Sequence, residues 1–112
     1  MTFLALDSQR SLFMLQKSQV TFEMTLIMNQ ANWVMKEMDA YQAEAEELNG
    51  GQTVDLDNDP YYLSLQQEEE YLTVRQASLE EQITLLDNSI SSMKTMAQNN
   101  IKTSCGLNLI GS

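Results

Sequence analysis

Apolar residues recur at every seventh position along two separate stretches of this chain. The first set is Phe13, Val20, Ile27, Val34, Tyr41 and Leu48, and the second is Leu65, Leu72, Leu79, Leu86 and Met93. Side chains with this spacing form one stripe along an α-helix, and the stripe is shielded from water only when another helix covers it. The pattern therefore predicts two long helices that pack against each other along a coiled-coil seam.

The segment between the two stripes carries signals that end one helix and begin another. Gly50 and Gly51 are the only adjacent glycines, and Pro60 is the only proline. Glycine adopts the left-handed conformation that ends many helices, and proline after an aspartate such as Asp59 is typical of a helix start. We predict a first helix over about 7–48, a loop over 49–59 and a second helix over about 60–104, with Thr2 as an alternative cap for the first helix.

These elements predict an all-α fold, a long antiparallel two-helix coiled-coil hairpin. Because Lys102 suits a last helical turn and Gly106 suits the residue after it, residues 105–112 are predicted to form a short apolar C-terminal tail. A length of 112 residues corresponds to a single domain, but one seam cannot provide a layered core. Additional stability must therefore come from contacts with neighbouring molecules.

The charge of the chain excludes several classes of partner. Sixteen acidic residues against six basic ones give a formal net charge of -10. Nucleic acids and anionic membranes attract lysine and arginine and repel carboxylates, so neither is an expected partner. No uncharged run reaches 18 residues, and the sequence therefore predicts no transmembrane segment.

The residue combinations needed for nucleophilic catalysis and for the common metal sites are missing from the sequence. There is no histidine, no glycine-rich phosphate loop, and a single cysteine that has no base beside it. Asp55, Asp57 and Asp59 match the first ligand spacings of a calcium loop, but Pro60 stands where glycine is needed and Gln66 where glutamate is needed. We predict no catalytic residue, no cofactor or metal ligand and no small-molecule substrate, and hence a protein that is not an enzyme.

Two features bear on the location of the protein. Cys105 is the only cysteine, which excludes an intramolecular disulfide and favours a reducing compartment. The first residues lack the basic leader, apolar run and small-residue cleavage site of a secretory signal. The expected location is the cytoplasm, or an exported destination reached without a cleaved signal peptide.

Many large apolar residues lie off the seam and form the candidate interface. They are Leu12, Met14, Leu15, Phe22, Leu26, Met28, Trp33 and Met35 in the first helix, and Leu107, Leu109 and Ile110 in the tail. A lone hairpin would leave most of them in water, although residues 1–12 and the tail could fold back over part of this surface. The surplus predicts a homo-oligomer or a complex with another helical protein.

Charge is also distributed unevenly along the sequence. Eleven of the sixteen acidic residues fall between Glu37 and Glu70, on either side of the loop. This run is typical of a solvated loop with charged helix shoulders, or it could steer subunits that stack head to tail.

Residues near the start of the second helix resemble those of type III secretion needle subunits. They are Asp59, Pro60, Leu63, Gln67, Glu70, Tyr71, Arg75, Ala77 and Ser78. The resemblance covers about 20 of the 112 residues, and this chain has a longer segment before the proline and extends further at its C-terminus. It implies a subunit that is exported without a cleaved signal and polymerised into a helical tube.

Two functions follow from the sequence. The first is a structural, self-assembling hairpin subunit of a filament or of a secretion-related oligomer. The alternative is a cytoplasmic coiled-coil chaperone or adaptor that binds an amphipathic helix of a partner protein.

Overall fold

A computed structural model describes the backbone of residues 2–111 and the side chains of residues 2 and 4–102. Over these residues the chain forms two α-helices, α1 (Phe3–Leu48, 46 residues) and α2 (Pro60–Gly111, 52 residues), and no strand. The helices pack against each other as an antiparallel hairpin, which confirms the predicted all-α fold class. The residues group into two compact units: the loop unit, Glu23–Leu79, and the terminal unit, residues 2–22 with 80–111.

The first helix begins earlier than residue 7. The Thr2 hydroxyl accepts a hydrogen bond from the Ala5 N–H at 3.2 Å, and the Thr2 carbonyl accepts one from the Leu6 N–H at 3.0 Å. Thr2 is therefore the N-cap, and a start at Asp7 is wrong. Asp7 lies inside α1, where its carboxylate is 2.9 Å from the guanidinium of Arg10, one turn further along the helix.

A pair of glycines ends α1. The Gly51 N–H donates to the Glu46 carbonyl at 2.8 Å, and the Gly50 N–H donates to the Glu47 carbonyl at 3.2 Å, which is the Schellman pattern. Gly50 has φ 70° and Gly51 has φ 85°, values at which a residue with a Cβ atom is strained. The helix therefore stops at Leu48 for a local reason that requires glycine.

The second helix is capped at its start and continues past its predicted end. The Asp59 carboxylate accepts the Tyr62 N–H at 2.9 Å, and Pro60 is the first helical residue. At the other end, α2 runs through Gly106 to Gly111, so the predicted end near residue 104 is wrong and residues 105–111 of the predicted tail are helical. Ser112 lies outside the described residues. A single glycine costs a helix only about 1 kcal/mol relative to alanine and does not by itself end one.

In the loop unit the heptad positions form the core. Val34, Leu65 and Leu72 form one buried cluster, with half-buried Ile27 and Met38 packed against it. In the terminal unit Leu6 and Ala97 are buried, and the heptad residues Phe13, Val20, Leu86 and Met93 are half-buried. These burials match the heptad register expected of a two-helix seam.

Leu48 is the exception to the heptad register. It continues the first stripe in sequence, yet 83% of its surface is exposed. Tyr41, one heptad earlier, already contacts Asp59 and Tyr61 at the start of α2. The last turn of α1 therefore extends beyond the first residue of α2, and no heptad residue of α2 is left to cover Leu48.

Each unit has an ion pair that joins the two helices. In the terminal unit the Lys17 ammonium lies 2.7 Å from the Asp87 carboxylate, and in the loop unit the Arg75 guanidinium donates to the Glu23 carboxylate, with Nε at 3.1 Å. All four side chains are more than a third exposed, so these pairs contribute little to stability.

Candidate protein-interaction surfaces

A cluster of two tyrosines and two carboxylates fixes the loop end of the loop unit. The Tyr41 hydroxyl donates to Asp59 Oδ2 at 2.8 Å, and the Tyr61 hydroxyl donates to Glu37 Oε1 at 2.8 Å. The two rings pack edge to face, with centroids 4.9 Å apart and an interplanar angle of 62°. Tyr41 of α1 thus donates to Asp59, the N-cap of α2, and Tyr61 of α2 donates to Glu37 of α1. The two bonds hold the start of α2 against α1.

The same hydrogen bonds shift the pKa values of this cluster. The Tyr62 N–H and then the Tyr41 hydroxyl donate to the Asp59 carboxylate and lower its pKa below the ordinary 3.8. The bond to Asp59 raises the pKa of Tyr41 above 10.0, and the bond to Glu37 raises the pKa of Tyr61 in the same direction. These hydrogen bonds therefore favour an ionised Asp59 and neutral Tyr41 and Tyr61, which is their charge state at neutral pH.

The remaining loop residues are also held in place. The Gln42 side chain donates to the Val54 carbonyl at 2.9 Å, Leu56 is 7% exposed, and the Asp57 N–H donates to the Asp55 carboxylate at 2.9 Å. Turn formation and helix capping thus account for the aspartates that resemble a calcium loop. Among the described residues, no group of three His, Cys, Asp or Glu side chains could hold a metal ion.

All eight candidate interface residues of α1 are exposed, and they divide equally between the units. The terminal unit has Leu12, Met14, Leu15 and Phe22, and the loop unit has Leu26, Met28, Trp33 and Met35. Phe22 is 67% exposed and Trp33 58%, although aromatic side chains of this size are mostly buried in folded proteins. The other three candidates, Leu107, Leu109 and Ile110, lie outside the described side chains.

Within each unit, the exposed residues of α1 lie on two different sides of the helix. At 3.6 residues per turn, Met14, Met28 and Met35 fall next to the heptad stripe and so border the seam. Leu12, Leu15 and Phe22 of the terminal unit fall on the side turned away from the seam, and so do Leu26 and Trp33 of the loop unit. We call this side the outer face of α1. Neither α2 nor the loop covers it in either unit.

One member of the outer face was not among the predicted interface residues. Leu4 is 76% exposed and belongs to α1 because the helix begins at Thr2 instead of Asp7. The signal that could have identified it is the heptad itself, since Leu6 lies seven residues before Phe13 and is 2% exposed. Extending the stripe by one heptad would have placed Leu4 in the helix.

Formal charge separates the two units. The loop unit contains twelve carboxylates and two basic side chains, Lys36 and Arg75, for a net charge of -10. The remaining residues contain four carboxylates and four basic side chains, for a net charge of zero. Two copies of the loop unit would repel each other strongly, whereas two copies of the terminal unit would not.

The surface depressions between the helices are shallow and open. One in the terminal unit is lined by Lys17, Asp87 and Ile90, and one in the loop unit by Met35, Asp39 and Glu69. They are open to solvent and lack the enclosed shape of a small-molecule pocket. Over the described residues, neither helix has a stretch long and apolar enough to cross a bilayer.

Comparison with known proteins returned no match to this chain among protein families, curated proteins or solved structures. The exposed outer face of α1 and the charge of each unit are therefore the features on which a function can be argued.

Proposed function

We propose that this chain is a structural subunit that self-assembles through exposed apolar side chains of α1, forming a filament or a secretion-related oligomer. One observation carries the proposal: all eight large apolar residues of α1 that lie off the seam and were assigned to the interface are exposed. A two-helix hairpin has no third layer to cover them, and a neighbouring molecule can supply that layer.

The energy available from burying these side chains is large enough to drive association. Their exposed fractions range from 42% to 67%, so about half of each side chain still contacts water. Full burial of a large apolar side chain contributes about 1.5–3 kcal/mol, and the unrealised half for eight residues is therefore about 6–12 kcal/mol. Association costs about 4–15 kcal/mol, so assembly is feasible when most of the eight are used.

The residues that resemble type III secretion needle subunits support the secretion-related form of this proposal. Leu63, Gln67, Glu70 and Tyr71 are all exposed, so packing within the hairpin does not explain their pattern. Exposed side chains on α2 are available for contacts between subunits. The corresponding location is outside the cytoplasm, and we assign the chain no catalytic step.

The direct test is the oligomeric state of the full chain. Light scattering over a concentration series, with electron microscopy of the same samples, should show a mass that rises with concentration. Trp33→Ala should weaken assembly while helicity is retained, because this side chain is 58% exposed. Thr73→Ala is the matched control in the same unit, since Thr73 is exposed on α2 and lies on a different side of that helix from Leu63, Gln67, Glu70 and Tyr71. A monomer at millimolar concentration would refute the proposal.

The second candidate function is a cytoplasmic chaperone or adaptor for an amphipathic helix. The observation that favours it is the pair of exposed methionines beside the seam of the loop unit, Met28 and Met35. In the terminal unit, Met14 is also exposed beside the seam. Flexible thioether side chains adapt to differently shaped partners. A single helical protein that binds in fixed stoichiometry and replaces self-association would favour this function over the first.

A further inference from the structure

The outer face of α1 in the terminal unit is uncharged and mostly apolar. A sector about 80° wide on the helix surface contains six of the described residues. They are Leu4, Ser8, Leu12, Leu15, Gln19 and Phe22, and all six are exposed. No charged residue falls within this sector, although α1 as a whole is rich in carboxylates. A helix face of this kind is typical of a packing surface.

The order of these six residues reads nearly the same in both directions along the helix. When a second copy of α1 lies antiparallel with Leu12 opposite Leu15 of that copy, Ser8 falls opposite Gln19, and Leu4 falls beside Phe22. Every apolar side chain then meets an apolar one, and each contact occurs twice around a two-fold axis. This self-complementarity is the requirement for an isologous dimer interface.

We infer that the outer face of α1 in the terminal unit is a dimerisation surface, and that its occupant is the same face of a second copy, packed antiparallel. This inference rests on the proposed self-assembly and specifies one contact through which two copies assemble. An antiparallel pair also opposes the two helix macrodipoles, which a parallel pair would align.

Charge favours the terminal unit over the loop unit for this contact. Leu26 and Trp33 place apolar surface on the outer face of the loop unit as well, but that unit has a net charge of -10. The residues outside it have a net charge of zero. Two copies can therefore approach through their terminal units without the repulsion that opposes contact between loop units.

The area of the surface sets the strength of the dimer. Leu4, Leu12, Leu15 and Phe22 are between 52% and 76% exposed, which leaves on the order of 350 Å² of apolar surface on the four side chains. A standard interface buries about 800 Å² per partner, of which somewhat more than half is apolar. The surface approaches that apolar area without reaching it, so we expect a dimer that dissociates on dilution.

Cysteine pairing tests the inference in the full chain with Cys105→Ser as background. Residues 8 and 19 are 11 positions apart, about 16 Å along the helix, whereas a disulfide needs Cα atoms within about 7 Å. A mixture of Ser8→Cys and Gln19→Cys should form a mixed disulfide under mild oxidation, and either variant alone should form none. Disulfides from Ser8→Cys alone would show a parallel pair and overturn the inference.

A second measurement separates failure of this contact from failure of self-assembly. Leu15→Asp should abolish the mixed disulfide, because it places a charge in the centre of the contact. In light scattering, the apparent affinity of self-association should fall at least tenfold. Gln98→Asp adds the same charge at an exposed position of α2 in the same unit and should leave both unchanged. If Leu15→Asp assembles as strongly as the parent chain, this contact alone is overturned. If the parent chain is a monomer under all conditions, the proposed function is overturned as well.

Discussion

Truncation of one core leucine tests the seam directly. Leu72 is 2% exposed and belongs to the buried cluster that includes Val34 and Leu65. Leu72→Ala keeps the helix propensity of the position high but removes the side chain that fills the seam. The change should therefore weaken the packing of α2 on α1 in the loop unit without altering the local preference for helix.

The expected magnitude follows from the burial of the side chain. Leucine to alanine deletes three carbon atoms, about 2.4 kcal/mol at about 0.8 kcal/mol per buried CH₂ group. A residual cavity adds to this, and core Leu→Ala substitutions cost about 2–5 kcal/mol. Because a two-helix seam is open to solvent along both sides, neighbours can relax into the space. We expect a loss near the lower end, about 3 kcal/mol.

Val74→Ala is the matched control, two residues further along α2. Val74 is 69% exposed, so the two carbon atoms that it loses are mostly in water already. About 0.5 kcal/mol of burial is lost, and the higher helix propensity of alanine offsets a similar amount. The control should therefore unfold within about 0.5 kcal/mol of the parent chain.

Urea unfolding followed by circular dichroism measures both variants. All samples need one low protein concentration, since self-association would couple stability to concentration. The midpoint for Leu72→Ala should fall clearly, with the slope of the transition unchanged. If Leu72→Ala and Val74→Ala unfold at the same denaturant concentration, Leu72 does not lie in a packed seam and the heptad register is incorrect.

Three further outcomes are expected. Gly50→Ala, at φ 70°, should destabilise the chain by about 1–2 kcal/mol in the same urea assay, and an unchanged midpoint would contradict the left-handed turn. Below pH 3.8 the melting temperature should fall, because the pKa of Asp59 is lower in the folded state than in the unfolded state. The resulting stabilisation is complete above pH 3.8 and is lost as the pH falls through the folded-state pKa. Asp59→Asn should reduce the dependence of the melting temperature on pH in this acid range. Above pH 10.0 the melting temperature should fall again, because the raised pKa values of Tyr41 and Tyr61 stabilise the folded state only until the pH rises through them. Tyr41→Phe should lower the melting temperature at neutral pH and make it less dependent on pH above 10.0. A melting temperature that depends on alkaline pH as in the parent chain would count against the hydrogen bond from Tyr41 to Asp59.

The surfaces available to partners were only partly predictable from sequence. The heptad pattern identifies large apolar residues of α1 that the seam does not need, and the eight that it assigns to the interface are all exposed. The pattern does not separate the outer face from the methionines that border the seam unless the helix bounds are known. Leu4 shows this dependence, because it joins the outer face only through the cap at Thr2.

Local sequence patterns predict the existence of the two helices, the face that each uses for the seam and the glycine stop, because each depends on residues close together in the chain. Heptad spacing selects one face of a helix whatever the rest of the chain does, and Gly50 meets a local backbone requirement. The exposure of Leu48, the burial of Leu56 and the hydrogen bond from Tyr41 to Asp59 follow from the three-dimensional arrangement of the helices and the loop. These contacts depend on where the loop returns the chain, and no local pattern encodes which residues that return places opposite each other.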